Sequence, residues 1–137
     1  MEEKISLEIV TPDRQLVKEM VDEITAPGSE GYFGVLPGHI PFLTTLKIGE
    51  VAYRRERETR YLAVSWGYAQ VEPAKMVILA EIAEPAEEID IERAQRARMR
   101  AEKRLEEKTE ELDFERARAA LEKALIRLQV ATKKLPQ

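Results

Sequence analysis

The sequence predicts an all-β unit, a sandwich or a barrel, over residues 1–86 followed by a two-helix unit over residues 87–137, and three observations carry that prediction. Through the first half, short apolar runs alternate with polar residues, the period of a strand with one buried face. All six glycines fall between Gly28 and Gly67, so the residues that permit tight turns are confined to the front. Beyond Pro85 neither Gly nor Pro recurs until Pro136, and the apolar spacing lengthens from two towards about 3.6 residues, the helical period.

The elements follow in order. Ile5, Leu7 and Ile9 alternate with Lys4, Ser6 and Glu8, a half-buried strand that ends in the turn Thr11-Pro12-Asp13. Comparable runs at 15–20, 23–26, 42–47, 51–54, 61–64, 68–71 and 76–80 are each bounded by Gly, Pro or a charged pair. The segment from Gly28 to Gly34 reads as a turn-rich loop. In the back half, Asp90 is placed to cap a first helix whose apolar face is Ala94, Ala97, Ala101 and Leu105. Asp113 is placed to cap a second, which sets Phe114, Ala117, Leu121, Ala124, Leu128, Ala131 and Leu135 at alternating three and four spacing, the seam of an antiparallel partner or coiled coil. Between them Glu106 faces Glu110, and Glu107 faces Glu111, at i,i+4 if the helix ran through; that repulsion favours a break. These acids also suit the positive start of the second helix better than the negative end of the first.

Composition excludes several function classes. Charged residues make up 35% of the chain against 6% aromatic, which suits a small core bearing a long solvated element. Split after Glu87, the front carries 9 basic and 15 acidic residues and the back 13 and 11, so neither half has the basic excess that nucleic-acid binding requires. Without cysteine there are no disulfides, thiolate metal sites or thiol chemistry. The start Met1-Glu2-Glu3-Lys4-Ile5 lacks the pattern of a signal or transit peptide, and the longest uncharged stretch, Gly31 to Leu46, is interrupted by Pro37 and Pro41. A cytoplasmic bacterial chain that does not itself span a membrane is expected.

No catalytic or metal centre is legible. No Gly-Lys-Ser/Thr follows the spaced glycines of Gly28–Gly34, so this is not a phosphate-cradling loop. His39 is the only histidine, with no Cys partner and no nucleophile elbow beside it; a structural or interface role fits it. The many carboxylates fall on helix surfaces, where they are solvated, rather than as a buried pair with separated pKa values. The chain is expected to be a binding protein and not an enzyme.

The helix pair is a weak closure. Ala packed on Ala and Leu buries about one methyl per Ala, against roughly 1.5–3 kcal/mol for each fully buried Leu. Opened into one rod, about 45 residues at about 1.5 Å rise would span on the order of 65 Å. Arg93, Arg96, Arg100 and Arg104 form one stripe beside the Ala face, able to grip an acidic partner surface or the phosphates of a nucleotide. The same stripe also reads as a solvated face with intrahelical pairs.

The run Gly28-Ser29-Glu30-Gly31-Tyr32-Phe33-Gly34-Val35-Leu36-Pro37-Gly38-His39-Ile40-Pro41-Phe42-Leu43 closely resembles the signature loop of the epsilon subunit of the rotary F-type ATP synthase, bacterial type. Val10-Thr11-Pro12, Ser65-Trp66-Gly67-Tyr68, Ile89-Asp90-x-x-Arg93-Ala94 and the closing heptad helix match that family in order and spacing, so the resemblance covers essentially the whole chain.

The resemblance implies a sandwich of about ten strands followed by a C-terminal α-helical hairpin. It implies a non-catalytic rotor subunit of the central stalk, coupling proton translocation to ATP synthesis. Its sandwich would bind the gamma subunit and the ring of c subunits, at the cytoplasmic face of the bacterial plasma membrane and held there only through the complex. Ser29, Glu30, Tyr32, Phe33 and His39 would then lie at that interface, although Phe33 reads equally as core. The helices of the family fold back or extend along gamma, and the extended form inhibits ATP hydrolysis through basic side chains on the alpha and beta subunits, a role that Arg93, Arg96, Arg100 and Arg104 fit. Some bacterial members bind ATP on the folded hairpin as a regulatory ligand. Carried over by position, that site falls on Glu84, Asp90, Arg93, Arg100, Lys123 and Arg127. Lys123 stands where the family pattern has arginine, a point charge in place of a bidentate fork. Asp90 reads equally as a helix cap. A hairpin that senses ATP with little inhibitory activity is the alternative.

Overall fold

A computed structural model describes residues 3–107 and 110–134. Its strands are β1 (Ile5–Val10), β2 (Gln15–Val21), β3 (Glu23–Gly28), β4 (Gly31–Val35), β5 (Phe42–Leu46), β6 (Gly49–Arg55), β7 (Glu58–Val71) and β8 (Lys75–Pro85). One turn of 3-10 helix (Ala86–Glu88) leads into α1 (Ile91–Glu106) and α2 (Glu111–Ala131). Among the described residues, no helix is long and apolar enough to cross a membrane.

The alternation in β1 does what its period dictates. Ile5, Leu7 and Ile9 are fully buried and meet Val17 and Val21 of β2, Ile24 and Ala26 of β3 and Met76 and Ile78 of β8 in one core. β1 pairs antiparallel with β2 and parallel with β8. β7 runs antiparallel to β8 in a single register from Leu62↔Pro85 to Val71↔Met76. On its other edge β7 changes neighbour: Glu58–Val64 pairs with β6, and Gly67–Val71 with β5.

That change of neighbour explains the strand count, which is eight and not about ten. One layer is β2-β1-β8-β7-β5 and the other is β8-β7-β6-β3-β4, so β7 and β8, 14 and 11 residues long, bend through both layers and are each used twice. The runs at 61–64 and 68–71 are therefore one strand. Its corner is Trp66-Gly67, with φ of 53° and 135°. A Cβ on Gly67 would sit 1.9 Å from the Leu79 carbonyl oxygen, so β8 can run past this corner only if position 67 is glycine.

Two further expectations are corrected. Gly31 to Val35 is strand β4, paired antiparallel with β3, and only Ser29 and Glu30 form the turn. The cap of α2 is Glu110, not Asp113. Phe114 N already bonds Glu110 O at 3.0 Å, so the helix starts earlier and Asp113 falls in its first turn, where the helix dipole favours it equally. Asp90 caps α1 as expected, its Oδ1 accepting from Arg93 N at 3.1 Å. α1 ends at Glu106 and α2 begins at Glu111, on either side of the expected break; residues 108, 109 and Leu135 lie outside the described residues.

Candidate functional site

Two surfaces stand out. The first is an apolar rim at the β4–β5 end. Leu36, Ile40, Phe42 and Leu43 are all exposed within one short stretch of chain, Ile40 by 75%, and Tyr32 is exposed on the face of β4 opposite Phe33. β4 and β5 order this rim. Phe33 is half-buried against the sandwich core and meets Phe42 edge-on at 5.3 Å, so it is partly core and partly the floor of the rim. His39 lies 6.3 Å from the Phe42 ring, with Nδ1 2.6 Å from the Ile40 carbonyl oxygen. Tyr32 Oη accepts from Glu50 N at 2.9 Å, and glycine at 49 leaves space for that hydroxyl. Ser29 Oγ is 3.2 Å from Thr44 Oγ1, while Glu30 is exposed at the β3–β4 turn. Leu36, Ile40, Phe42 and Leu43 were not among the candidates; four apolar residues in the prolyl stretch Leu36–Leu43, with no partner period, were the available signal.

The second surface is the helix pair. Ala94 and Ala101 of α1 and Ala117 and Ala124 of α2 are buried where the helices meet, as the alanine spacing predicts, but Leu121 and Leu128 are only half-buried, Phe114 is exposed, and Ala131 packs on the sandwich. The pair touches the sandwich through a small cluster of Ala63, Ala86, Ile89, Val130 and Ala131. Arg93, Arg96, Arg100 and Arg104 are exposed, and their side chains have no hydrogen-bond or ion-pair partner among the described residues. Chemically they are free donors for acidic groups.

Of the positions carried over for nucleotide binding, Glu84, Asp90, Lys123 and Arg127 are engaged in contacts within the chain, and Arg93 and Arg100 are not. Arg127 Nη2 donates to Glu84 Oε2 at 3.3 Å; its Nε is 2.8 Å from Oε1 but off the N–H axis, so it adds charge attraction without a hydrogen bond. Lys123 Nζ stands 4.1 Å over the Trp66 ring, Asp90 is engaged as a cap, and Arg93 and Arg100 point to solvent. The structure thus joins Glu84 to Arg127 and spends Lys123 on an aromatic face. Glu50, Tyr61, Trp66 and Lys133, which complete this contact, carried no individual signal because their partners lie far along the chain.

A two-layer β body with an apolar rim, flanked by a lightly held helix pair with a cationic stripe, defines a two-part protein-binding subunit. Comparison with known proteins narrows the class. The family description "ATP synthase, Delta/Epsilon chain, beta-sandwich domain" matches residues 4–86, and "ATP synthase, Delta/Epsilon chain, long alpha-helix domain" matches residues 87–132. The ATP synthase epsilon chain of Syntrophobacter fumaroxidans is 57% identical over 105 residues, 77% of this chain and 78% of that one. That of Koribacter versatilis is 52% identical over 105 residues, covering 77% and 74%. Among solved structures, a chain of the Euglena gracilis mitochondrial ATP synthase (OSCP/F1/c-ring, rotational state 1) superposes with a TM-score of 0.82 at 29% identity, covering 94% of this chain and 81% of that one. One from the Tetrahymena thermophila mitochondrial ATP synthase central stalk and c-ring shares the fold, with a TM-score of 0.68 at 12% identity, over 95% and 98%. The chain belongs to the ATP synthase delta/epsilon family, among the epsilon subunits of the bacterial F-type enzyme.

Proposed function

We propose that the chain is a non-catalytic rotor subunit of the central stalk, in which the sandwich couples and the hairpin regulates. The apolar rim, with Ser29, Glu30, Tyr32, Phe33 and His39, docks on the gamma subunit and the c-ring at the cytoplasmic face of the bacterial membrane. Residues 87–137 form the regulatory unit. Released from the sandwich, it reaches the alpha and beta subunits, where Arg93, Arg96, Arg100 and Arg104 meet acidic surfaces and slow ATP hydrolysis.

The observation that carries this reading is the disparity between the two cores. Nineteen buried residues form the apolar core of the sandwich, whereas the buried apolar cluster between hairpin and sandwich has five small or medium residues, with Tyr61 and Ile126 packed against it. At roughly 1.5–3 kcal/mol per fully buried aliphatic side chain, Ile89 and Val130 are the chief apolar contribution to docking, a sum that binding to another subunit can offset. Deleting residues 88–137 from a reconstituted synthase is expected to raise ATP hydrolysis with assembly intact; unchanged hydrolysis would overturn the regulatory role.

A second reading takes the hairpin as an ATP sensor through Glu84, Asp90, Arg93, Arg100, Lys123 and Arg127. The unpartnered guanidinium groups of Arg93 and Arg100 favour it. Calorimetric titration of the full chain with millimolar ATP and magnesium tests it, with absence of heat as the overturning result.

A further inference from the structure

We propose that α2 is latched to the sandwich by a matched row of charges, so that ionic contacts rather than apolar burial decide when the hairpin opens. The proposal rests on the reading that the hairpin moves, and it names what holds the hairpin closed.

Three adjacent strands present the receiving row. Glu50 of β6 pairs directly with Ala63 of β7, and Ala63 pairs directly with Glu84 of β8. Directly opposed residues share a face, so two carboxylates stand on either side of one buried alanine, about 10 Å apart across two strand spacings. The helix presents the complement. Arg127 and Val130 lie at i and i+3 on α2, and Lys133 follows in the turn after the C-cap Thr132, its amide bonded to the Val130 carbonyl at 2.9 Å. Val130 packs in the cluster that contains Ala63. On one side Arg127 reaches Glu84, and on the other Lys133 Nζ donates to Glu50 Oε1 at 2.7 Å. Helix and sheet therefore match as cation, apolar, cation on anion, apolar, anion.

Two aromatic rings extend the row. Lys133 Nζ also stands 4.6 Å over the Tyr61 ring, and Lys123, one turn beyond Arg127, stands over Trp66. Gln129 Nε2 adds a long contact to Glu50 Oε1 at 3.5 Å, and Lys134 Nζ donates to the Ile89 carbonyl at 3.1 Å. Glu50 is held in place from behind, since its own amide bonds Tyr32. Each ion pair has one well-shielded member, Glu50 at 14% and Arg127 at 19% exposed, and one more open, Lys133 at 35% and Glu84 at 28%, so water screens these pairs only partly.

Register is the consequence of this pattern. An apolar patch as small as Ala63, Ala86 and Ile89 would let α2 slide, whereas carboxylates flanking it admit only a helix with cations at both ends of one apolar residue. Breaking Arg127–Glu84 and Lys123–Trp66 frees the length of α2 that lies beyond Val130, towards the tip of the hairpin.

The test uses the full chain. Trp66 is its only tryptophan, so acrylamide quenching of intrinsic fluorescence reports whether Lys123 covers the ring. Raising NaCl from about 0.1 M to about 1 M shortens the screening length from about 10 Å to about 3 Å and is expected to increase quenching of Trp66. In the double variant Glu50→Gln with Glu84→Gln, α2 amides are expected to exchange about tenfold faster, roughly threefold per pair, while β7 and β8 amides keep their protection and show that the sandwich is folded. Glu84→Arg is expected to open the hairpin and Glu84→Arg with Arg127→Glu to close it again. Quenching and α2 exchange unmoved by salt and by the double variant would overturn the latch, as would a charge swap no more protected than the single variant. Because hydrolysis by the synthase lacking residues 88–137 is measured separately, loss of the latch and loss of the regulatory role are distinguishable.

Discussion

Asp22 shows how one residue can fix a turn. Its carboxylate is buried, with Oδ2 accepting from Glu56 N at 2.7 Å and Oδ1 from Lys4 Nζ at 2.9 Å. The bond closes the β6–β7 turn where Glu56 takes a φ of 59°, a conformation few non-glycine residues adopt without support. The Glu56 amide first, and the Lys4 ammonium second, hold the Asp22 carboxyl below the usual carboxylate range. A group whose pKa is lower in the folded chain stabilises it above its unfolded value, about 3.9, and that contribution disappears as pH falls through the folded value. Replacement Asp22→Asn is therefore expected to lower stability at neutral pH and to flatten the loss of stability below about pH 4, read as urea midpoints across pH. An unchanged acid limb would show that other carboxylates carry it. Little of this was legible beforehand: Asp22 and Glu56 are 34 residues apart, and only the pairing of β3 with β6 brings them together.

Helix packing belongs to the scale of elements. Because Ala94, Ala101, Ala117 and Ala124 are buried where α1 meets α2, the two backbones can approach closely and no spare volume is left at the seam. Substituting Ala101→Leu is expected to cost about 1–3 kcal/mol through overpacking and to loosen the hairpin alone. Faster exchange of α1 and α2 amides with unchanged β7 and β8 protection is the expected result; equal loosening of the sandwich would contradict it. At this scale the sequence was informative where the period was clean. The alternation of β1 and the alanine spacing of both helices predicted the buried faces correctly. β4 was hidden, because Gly31 and Gly34 interrupt its pattern and the strand exists through its pairing with β3. β7 was read as two runs for a related reason. Ser65-Trp66-Gly67 has turn chemistry, yet the unbroken β8 alongside carries the strand through its corner.

For the whole molecule, two cores of unequal size predict unequal dependence. The larger core lies wholly within the strands, and α2 contributes Val130 and Ala131 to the smaller one, with Ile126 partly buried against it. The sandwich should therefore stand without the hairpin. A chain ending at residue 87 is expected to keep one cooperative melting transition, its Tm lowered by about 4–8 °C for each kcal/mol that hairpin docking contributes. A collapse of the melting temperature would show that the hairpin is part of the main fold. On the proposed reading the same asymmetry separates coupling from regulation, because opening the hairpin would leave the sandwich core untouched.

By itself the sequence determined the division into β front and helical back, the buried faces within most elements, the cap at Asp90 and the family. Each is set by residues within one or two turns of each other, or by a motif carried in order along the chain. Tertiary structure alone decided that eight strands fill ten places in the layers, that Phe33 floors an apolar rim, and that Arg127 of α2 and Lys133 just beyond its end find carboxylates on either side of Ala63. Such contacts join residues 43 and 83 positions apart. Their geometry depends on strand register and helix placement, and periodicity along the chain carries no record of either.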